Sequence, residues 1–366
     1  MSTLHADNTN HGDVTPELLR HHGDTEATPG LIDLAVNVRR PQPPRWLAEV
    51  LRRHIDDLAR YPNPTSARHA VARMHGRDIN EVLLTAGAAE AFVLISRALK
   101  PAHAVVVHPQ FTEPEAALTA AGVHVDRLLL DPNDGFQLHP EQVPTSADLV
   151  IVGNPTNPTS ILHSARAIRQ IAKPGRIVVV DEAFMDAVAG PSESLAEDRH
   201  TPGMLVLRSL TKTWGLAGLR VGYALGAPDV LGSLSEAQPL WPVSTLALAA
   251  AEACCSEQAQ HQVRDEATRI TADSAYLTRR LDTLPGLVRY GTPRGPFVLT
   301  RTPHAHGVRE HLRNRGIAVR RGDTFPGLGP DWLRIAVKDR ETTDLLVSTL
   351  ADILIGGDSH LAKAGR

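Results

Sequence analysis

The sequence predicts an α/β protein: a large domain on a mostly parallel, seven-stranded sheet flanked by helices, followed by a smaller α+β domain. Three observations carry this. Seven short, nearly continuous apolar segments recur between residues 82 and 226. Helix-like or loop stretches separate them. After residue 284 the pattern changes to shorter strand-like runs with two helices. Strands apolar on both faces are those that helices cover on both sides, and their alternation with helices is the mark of a parallel sheet.

Residues 1–45 begin with about thirty polar residues rich in His, Asp and Thr, expected to form an arm and to contribute to the small domain. From Trp46 to Arg60 apolar residues recur at helical spacing, stopped by Tyr61-Pro62-Asn63-Pro64, and a second helix follows over 66–75. The seven strands are expected at 82–87, 104–109, 125–132, 148–155, 176–183, 204–210 and 220–226, with helices at 89–99, 112–121 and 162–173. A helical stretch from Val243 to Leu284 closes the large domain of 46–284. The small domain, 285–356, reads as strands at 286–291, 296–301, 317–321 and 332–337 with helices at 307–315 and 340–355; 357–366 reads as a flexible tail.

Composition narrows the function. The chain has 366 residues, 42% hydrophobic and 22% charged, an ordinary globular balance that excludes disorder or coiled coil throughout. No apolar run approaches the ~18–20 residues of a membrane helix, and the start lacks a basic flank followed by an apolar core. A net charge of −3 gives no reason to expect nucleic acid as a partner. Cys254 and Cys255 are adjacent, which suits helix packing in a reducing cytoplasm rather than a disulfide framework. The expectation is a cytoplasmic protein without membrane attachment.

In parallel sheets ligands sit at the carboxyl ends of strands, and four such ends carry chemistry. Gly87-Ala88-Ala89-Glu90 opens a helix with small side chains, leaving backbone N–H groups accessible to an anion. Asn154-Pro155-Thr156-Asn157-Pro158 holds the chain away from helix. Asp181 ends a buried run and needs a cationic or N–H partner. Lys212 follows a buried strand, with Ser209 three residues before it and Arg220 eight after, suited to holding a phosphate. Only five of the 38 basic residues are lysines, and Lys212 alone stands at a strand end. Each segment by itself is equally an ordinary turn, a satisfied carboxylate or a surface lysine. A dinucleotide fold would require a Gly-x-Gly-x-x-Gly turn where the chain has Thr85-Ala86-Gly87-Ala88-Ala89-Glu90, and no His-Glu-x-x-His pattern suggests a metal.

As a set, these residues resemble the fold type I pyridoxal-phosphate enzymes, the aspartate-aminotransferase superfamily, over about Leu31 to Ile355. The resemblance implies that Lys212 bonds covalently to the pyridoxal 5′-phosphate aldehyde and moves protons at the substrate α-carbon. Asp181 would pair with the ring nitrogen, Asn157 would bind the ring 3′-oxygen and Phe111 would stack on the ring. Ala88, Ala89, Ser209 and Arg220 would hold the phosphate, with Tyr61 reaching it from a neighbouring subunit of a homodimer. Arg334 would grip the carboxylate of a small amino substrate, with Asn37 also at the substrate and Arg320 at a distal phosphate.

Within the superfamily the chain resembles both histidinol-phosphate aminotransferases and the threonine-phosphate decarboxylases of cobalamin biosynthesis. Phe184 in Asp181-Glu182-Ala183-Phe184, the Phe325-Pro326-Gly327-Leu328 step, His22-Gly23-Asp24 and the segment 239–247 favour the decarboxylase. The expected activity is therefore decarboxylase-like. The alternative is a histidinol-phosphate-type transfer of an amino group to 2-oxoglutarate, and an inactive paralogue is disfavoured by the intact Lys212, Asp181 and Arg334. Three departures from the family pattern, Ser160 for a glycine, Arg39-Arg40 in the substrate strand and Gly295-Pro296-Phe297, are expected to touch substrate recognition.

Overall fold

Two sheets organise the computed structural model, which describes residues 14–356. The first thirteen residues of the expected arm and the expected tail 357–366 lie outside the described residues. The strands are β1 (Ile32–Leu34), β2 (Val82–Thr85), β3 (Ala104–His108), β4 (Val125–Leu129), β5 (Leu149–Gly153), β6 (Ile177–Asp181), β7 (Met204–Ser209), β8 (Gly222–Gly226), β9 (Val288–Arg289), β10 (Phe297–Arg301), β11 (Ile317–Arg321) and β12 (Trp332–Ala336).

The larger sheet runs β2-β8-β7-β6-β5-β3-β4. β8 is antiparallel to both its neighbours, and the pairs from β7 across to β4 are parallel. All seven predicted strands are present. Their side chains alternate between two cores: Val105, Val107, Val150, Val152, Val178 and Val180 face one, whereas Ala104, Val106, Leu149, Ile151 and Val179 face the other. Complete burial of such side chains contributes roughly 1.5–3 kcal/mol each, which is why these segments are apolar at every position. In register, Gly153 pairs with Asp181 and Ser209 with Gly222, so the polar residues at the ends of β5, β6 and β7 are neighbours.

The second sheet runs β1-β11-β12-β10-β9, with β1 parallel to β11 and the other pairs antiparallel. It packs on the helices Glu257–Leu281, Ala305–Asn314 and Arg340–Gly356 through Leu277, Leu281, Val308, Leu312, Leu346 and Leu350. β1 has three residues, too few to show an alternating pattern, and the expected strand at 286–291 shrinks to the two residues of β9.

Helix boundaries shift for local reasons. The helix expected from Trp46 to Arg60 ends at Arg53: the His54 imidazole Nδ1 contacts the Val50 carbonyl at 2.9 Å, the His54 N–H turns to Leu51, and a 3₁₀ turn over Ile55–Ala59 follows. The helical stretch after Val243 divides into Thr245–Cys254 and Glu257–Leu281, capped by Ser244 and Ser256, whose hydroxyls accept the N–H groups of Ala247 and Ala259. A further helix, Pro228–Glu236, begins with proline in its first turn, a start signal the strand–helix rhythm left unread.

The described part of the amino-terminal segment is not a free arm. Val14 and Leu19 pack on Ala116, the Thr112 hydroxyl donates to the Leu19 carbonyl, and Arg127 donates to the Val14 carbonyl at 3.2 Å. The segment thereby runs along the helix Glu113–Ala120 and delivers His22, Gly23 and Asp24 to the carboxyl ends of the sheet.

Ser160, expected to touch substrate recognition, stands outside the residues that line the cavity described below and joins two loops. It adopts φ of +64°, a conformation that favours glycine. Its hydroxyl accepts the Gly295 N–H at 2.7 Å and its carbonyl accepts the Arg294 N–H at 2.8 Å, tying the loop after β5 to the approach to β10. Ser160→Ala keeps the backbone strain and orphans a buried N–H, a loss of about 1–3 kcal/mol. Ser160→Gly relieves about 1–2 kcal/mol of strain and is therefore the milder change. Denaturant midpoints of the two variants are expected in that order.

Candidate active site

A cavity of about 440 Å³ opens where the ends of β5, β6 and β7 face the second sheet, a size suited to a small molecule. A larger open groove of about 730 Å³ beside Arg169, Lys173 and Asp198 is a surface feature, and Arg169 and Asp198 there satisfy each other at 2.7 Å.

Lys212 lies on the floor of the cavity, in the short helix Thr211–Trp214 that follows β7. Burial, then the charges of Arg334 and Arg220, push its amine down to about 8, opposed by Asp181 and Asp24. An amine so placed gives up its proton as pH rises through about 8, well below the ordinary lysine range. Its helix is held from behind: the Thr213 hydroxyl donates to Asp186 at 3.1 Å, and Arg208 donates to both Asp186 and Glu182. Glu182 also accepts from Ser194 and the Leu195 N–H, so the carboxylate next to Asp181 is satisfied inside the protein.

Asp181, the last residue of the central strand β6, is buried at the cavity, and burial pushes its carboxyl up to about 6 despite the N–H of Ala183 at 3.0 Å and the nearby Lys212. Such a carboxyl calls for a cationic partner inside the cavity.

At the opposite wall, the helix Ala88–Leu99 presents Ala88 and Ala89. Gly87, at φ of +81°, lies under the Arg220 guanidinium so closely that a β-carbon there would stand 3.0 Å from Nη2. Ser209 completes this corner, a cradle of small residues, hydroxyls and a guanidinium fitted to a phosphate. Thr211 lines the same corner, although only Ser209 was singled out from the sequence; the signal was its second hydroxyl, one residue before the lysine. The cradle, the amine and the carboxyl together fit pyridoxal phosphate.

The second sheet supplies two arginines. Arg320 on β11 and Arg334 on β12 are cross-strand partners, both buried. Arg334 donates to the Asn157 side-chain oxygen at 2.6 Å and to the Ala35 carbonyl, and lies 5.5 Å from the Phe297 ring. Burial, reinforced by Arg320, pushes it down to about 9. Arg320 donates to the His21 carbonyl and the Thr324 hydroxyl at 2.6 Å each. One N–H position on each guanidinium, Nη1 of Arg320 and Nε of Arg334, is buried without a hydrogen-bond partner. So are both ends of the Asn37 amide, which also lines the cavity.

Phe111, Asn157 and Phe184 line the cavity as well. Phe184 packs edge-on against Phe297, with the Lys212 amine 6.0 Å from its ring centre. Glu113, not singled out from the sequence, holds the His22 imidazole at 2.6 Å while His22 leans on Phe111 at 5.3 Å. That hydrogen bond holds the Glu113 carboxyl below its ordinary range. Two residues are not brought in. Tyr61 lies outside the cavity of its own chain, 75% exposed and stacked on Trp241 at 4.1 Å. Arg39, expected at the substrate, turns toward the helix Glu257–Leu281 and bonds Glu266 and Asp273 there.

The pattern of the aminotransferase class I and II family matches residues 29–350. A histidinol-phosphate aminotransferase of Mycobacterium tuberculosis is 48% identical over 336 residues, covering 91% of this chain and 90% of that protein. A threonine-phosphate decarboxylase of Salmonella typhimurium is 27% identical, covering 89% and 92%. The fold is shared with the histidinol-phosphate aminotransferase of Sinorhizobium meliloti solved with pyridoxal-5′-phosphate: TM-score 0.77 at 20% identity, covering 88% of this chain and 90% of that one.

The raised Asp181 carboxyl has a measurable cost in protein free of pyridoxal phosphate. Between about pH 4 and 6 the folded chain keeps a proton that the unfolded chain releases, so stability falls as pH rises through this window and stays lower above it. Asp181→Asn removes that penalty. Calorimetry at pH 7 is expected to show the cofactor-free variant more stable than wild type by on the order of 1–3 kcal/mol, the difference vanishing near pH 4.

Proposed function

The chain belongs to the aminotransferase class I and II family, enzymes of pyridoxal phosphate, and within it we propose that it transfers the amino group of a small phosphorylated amine to a dicarboxylic keto acid, as histidinol-phosphate aminotransferases do. The observation that carries this reading is the pair of buried arginines across β11 and β12 at the cavity that holds Lys212: Arg334 keeps a buried Nε without a hydrogen-bond partner, and Arg320 Nη1 makes no hydrogen bond and meets Glu26 at 3.6 Å. Two guanidiniums side by side repel unless anionic charge lies between them. A phosphomonoester dianion, or the two carboxylates of glutamate, supplies that charge. One site thus serves both half-reactions.

Pyridoxal phosphate supplies the aldehyde that captures the substrate amine and the ring that takes up the electrons of the broken bond. Lys212, whose amine burial brings down to about 8, accepts the proton from the substrate α-carbon in its unprotonated form and returns one on the other side of the transfer. Asp181 would serve as the counter-charge for the protonated ring nitrogen, and Asn157, its oxygen held by Arg334, would offer its amide N–H₂ to the ring oxygen. The Gly87–Ala89 turn, Ser209, Thr211 and Arg220 would hold the cofactor phosphate. Asn37, enclosed and unpaired, donates to and accepts from the substrate.

This reading takes the alternative expected from the sequence ahead of decarboxylation. The decarboxylase relative is 27% identical, whereas the aminotransferase relative stands at 48% over nearly the whole chain. Histidinol phosphate also has no carboxylate to lose, so the arginine pair would act on its phosphate.

Purified enzyme is to be given histidinol phosphate, O-phosphothreonine and common amino acids in turn with 2-oxoglutarate, following CO₂ and the amine form of the cofactor together. Conversion of histidinol phosphate without CO₂ is expected; CO₂ from O-phosphothreonine without transfer would restore the decarboxylase. Arg320→Ala is expected to raise KM for the phosphorylated amine by about 10²-fold or more, and borohydride reduction to label Lys212.

We propose further that a second copy of the chain covers the exposed apolar surface of Ile55, Leu58, Tyr61, Leu240 and Trp241, bringing Tyr61 to the partner's cofactor phosphate. Sedimentation equilibrium is expected to give a dimer, and Trp241→Glu a monomer with weakened cofactor retention.

A further inference from the structure

The Arg39 side chain makes three well-formed hydrogen bonds to two different parts of the fold. Nε donates to Glu266 at 2.7 Å and Nη2 to Asp273 at 2.8 Å, both on the long helix Glu257–Leu281. Nη1 donates to the Val337 carbonyl at 2.8 Å, one residue beyond β12. Its backbone N–H donates to the Lys212 carbonyl at 3.2 Å, and Lys338 reaches back to the Val38 carbonyl at 3.2 Å. A five-residue stretch, Ala35–Arg39, is thereby pinned at its far end to the lysine helix, to the long helix and to the end of the arginine strand.

What that stretch carries is the substrate wall. The Ala35 carbonyl holds Arg334. Asn37 exposes to the cavity an amide with no partner in the protein. Gly23 crosses so near that a β-carbon there would stand 2.6 Å from the Ala35 oxygen and 3.6 Å from Arg334 Nη2, leaving Ala35 no room to shift toward it. β1 ends at Leu34; the Asp33 carboxylate accepts the Ala35 and Val36 N–H groups at 2.9 and 2.8 Å and fixes the near end of the stretch. The Arg39 clamp fixes its far end. With both carboxylates largely enclosed, the contact is a charge-assisted, directional one rather than a loose surface pair.

We propose that Arg39 is a positioning residue for substrate recognition: its clamp sets where Asn37 and the Ala35 carbonyl stand relative to Arg334, and so how tightly the anionic group of the amino substrate is held. The clamp does not touch the cofactor cradle, which stands on the larger sheet. This rests on the function proposed above for the substrate, though not for the anion.

The test uses the holoenzyme and its Arg39→Gln and Arg39→Lys variants, with two independent readouts: inorganic phosphate binding by calorimetry, and steady-state kinetics with histidinol phosphate. Arg39→Gln is expected to weaken phosphate about tenfold and to raise KM about as much, with kcat changed less than about threefold and the bound-cofactor absorbance unchanged. Arg39→Lys, which keeps a cation between Glu266 and Asp273, is expected to recover part of both. Unchanged phosphate affinity and KM in a variant that only melts earlier would reduce Arg39 to a stability contact and overturn the proposal, as would equal losses in the two variants through kcat alone. Should wild type fail to turn over histidinol phosphate while phosphate binding still follows the Arg39 series, the substrate reading falls and the positioning role stands. If Arg39→Gln does not fold, Asp273→Asn, which removes one arm of the clamp, is expected to give a smaller rise in the same two constants, and no rise would overturn the proposal.

Discussion

The cost of enclosing ionisable groups in one cavity governs this structure. Lys212, Asp181, Arg320 and Arg334 are all drawn from water, and burial is the largest influence on each: it lowers the three cations and raises the carboxyl. None of the four is fully neutralised by the protein. Asp181 has one N–H and a nearby amine, and the two arginines face each other across a strand pair. A protein tolerates such a site where the missing counter-charges arrive with ligands, here a ring cation for Asp181 and anions for the arginines. The strain is local, because the charges just outside the cavity are matched: Arg208 with Glu182 and Asp186, Glu26 with Arg309 and, at 3.6 Å, Arg320, and Glu115 with Arg127.

The two sheets divide this work. The larger one, covered on both faces, brings the ends of β5, β6 and β7 together and with them the lysine, the carboxyl and the phosphate cradle. The smaller one contributes the arginines. The sheets are joined by a shared apolar core that takes in Leu299, Phe325, Leu328 and Trp332, and by directional contacts: Ser160 to Gly295, Arg334 to Asn157, and Arg39 across the amino-terminal stretch.

The long apolar strands and the residues at their ends were legible in the sequence, because burial on both faces leaves an uninterrupted apolar run and because a scarce lysine following such a run stands out. Smaller features were not. β1 is too short to carry a period, and the turn at His54 arises from one imidazole competing for a helix carbonyl. Glu113 has an ordinary side chain in an ordinary helix start, and nothing in the chain marks it until folding places it at the cavity.

The sequence by itself determined the strand–helix rhythm, the parallel sheet and the set of groups suited to pyridoxal phosphate, since these depend on residue type and local spacing. Only the tertiary structure decided which side chains face one another: that Arg320 stands opposite Arg334, that Arg39 turns to the long helix and away from the substrate, and that Ser160 joins two sheets. Those outcomes depend on strand register and on contacts between residues more than a hundred positions apart, and local spacing holds no record of either.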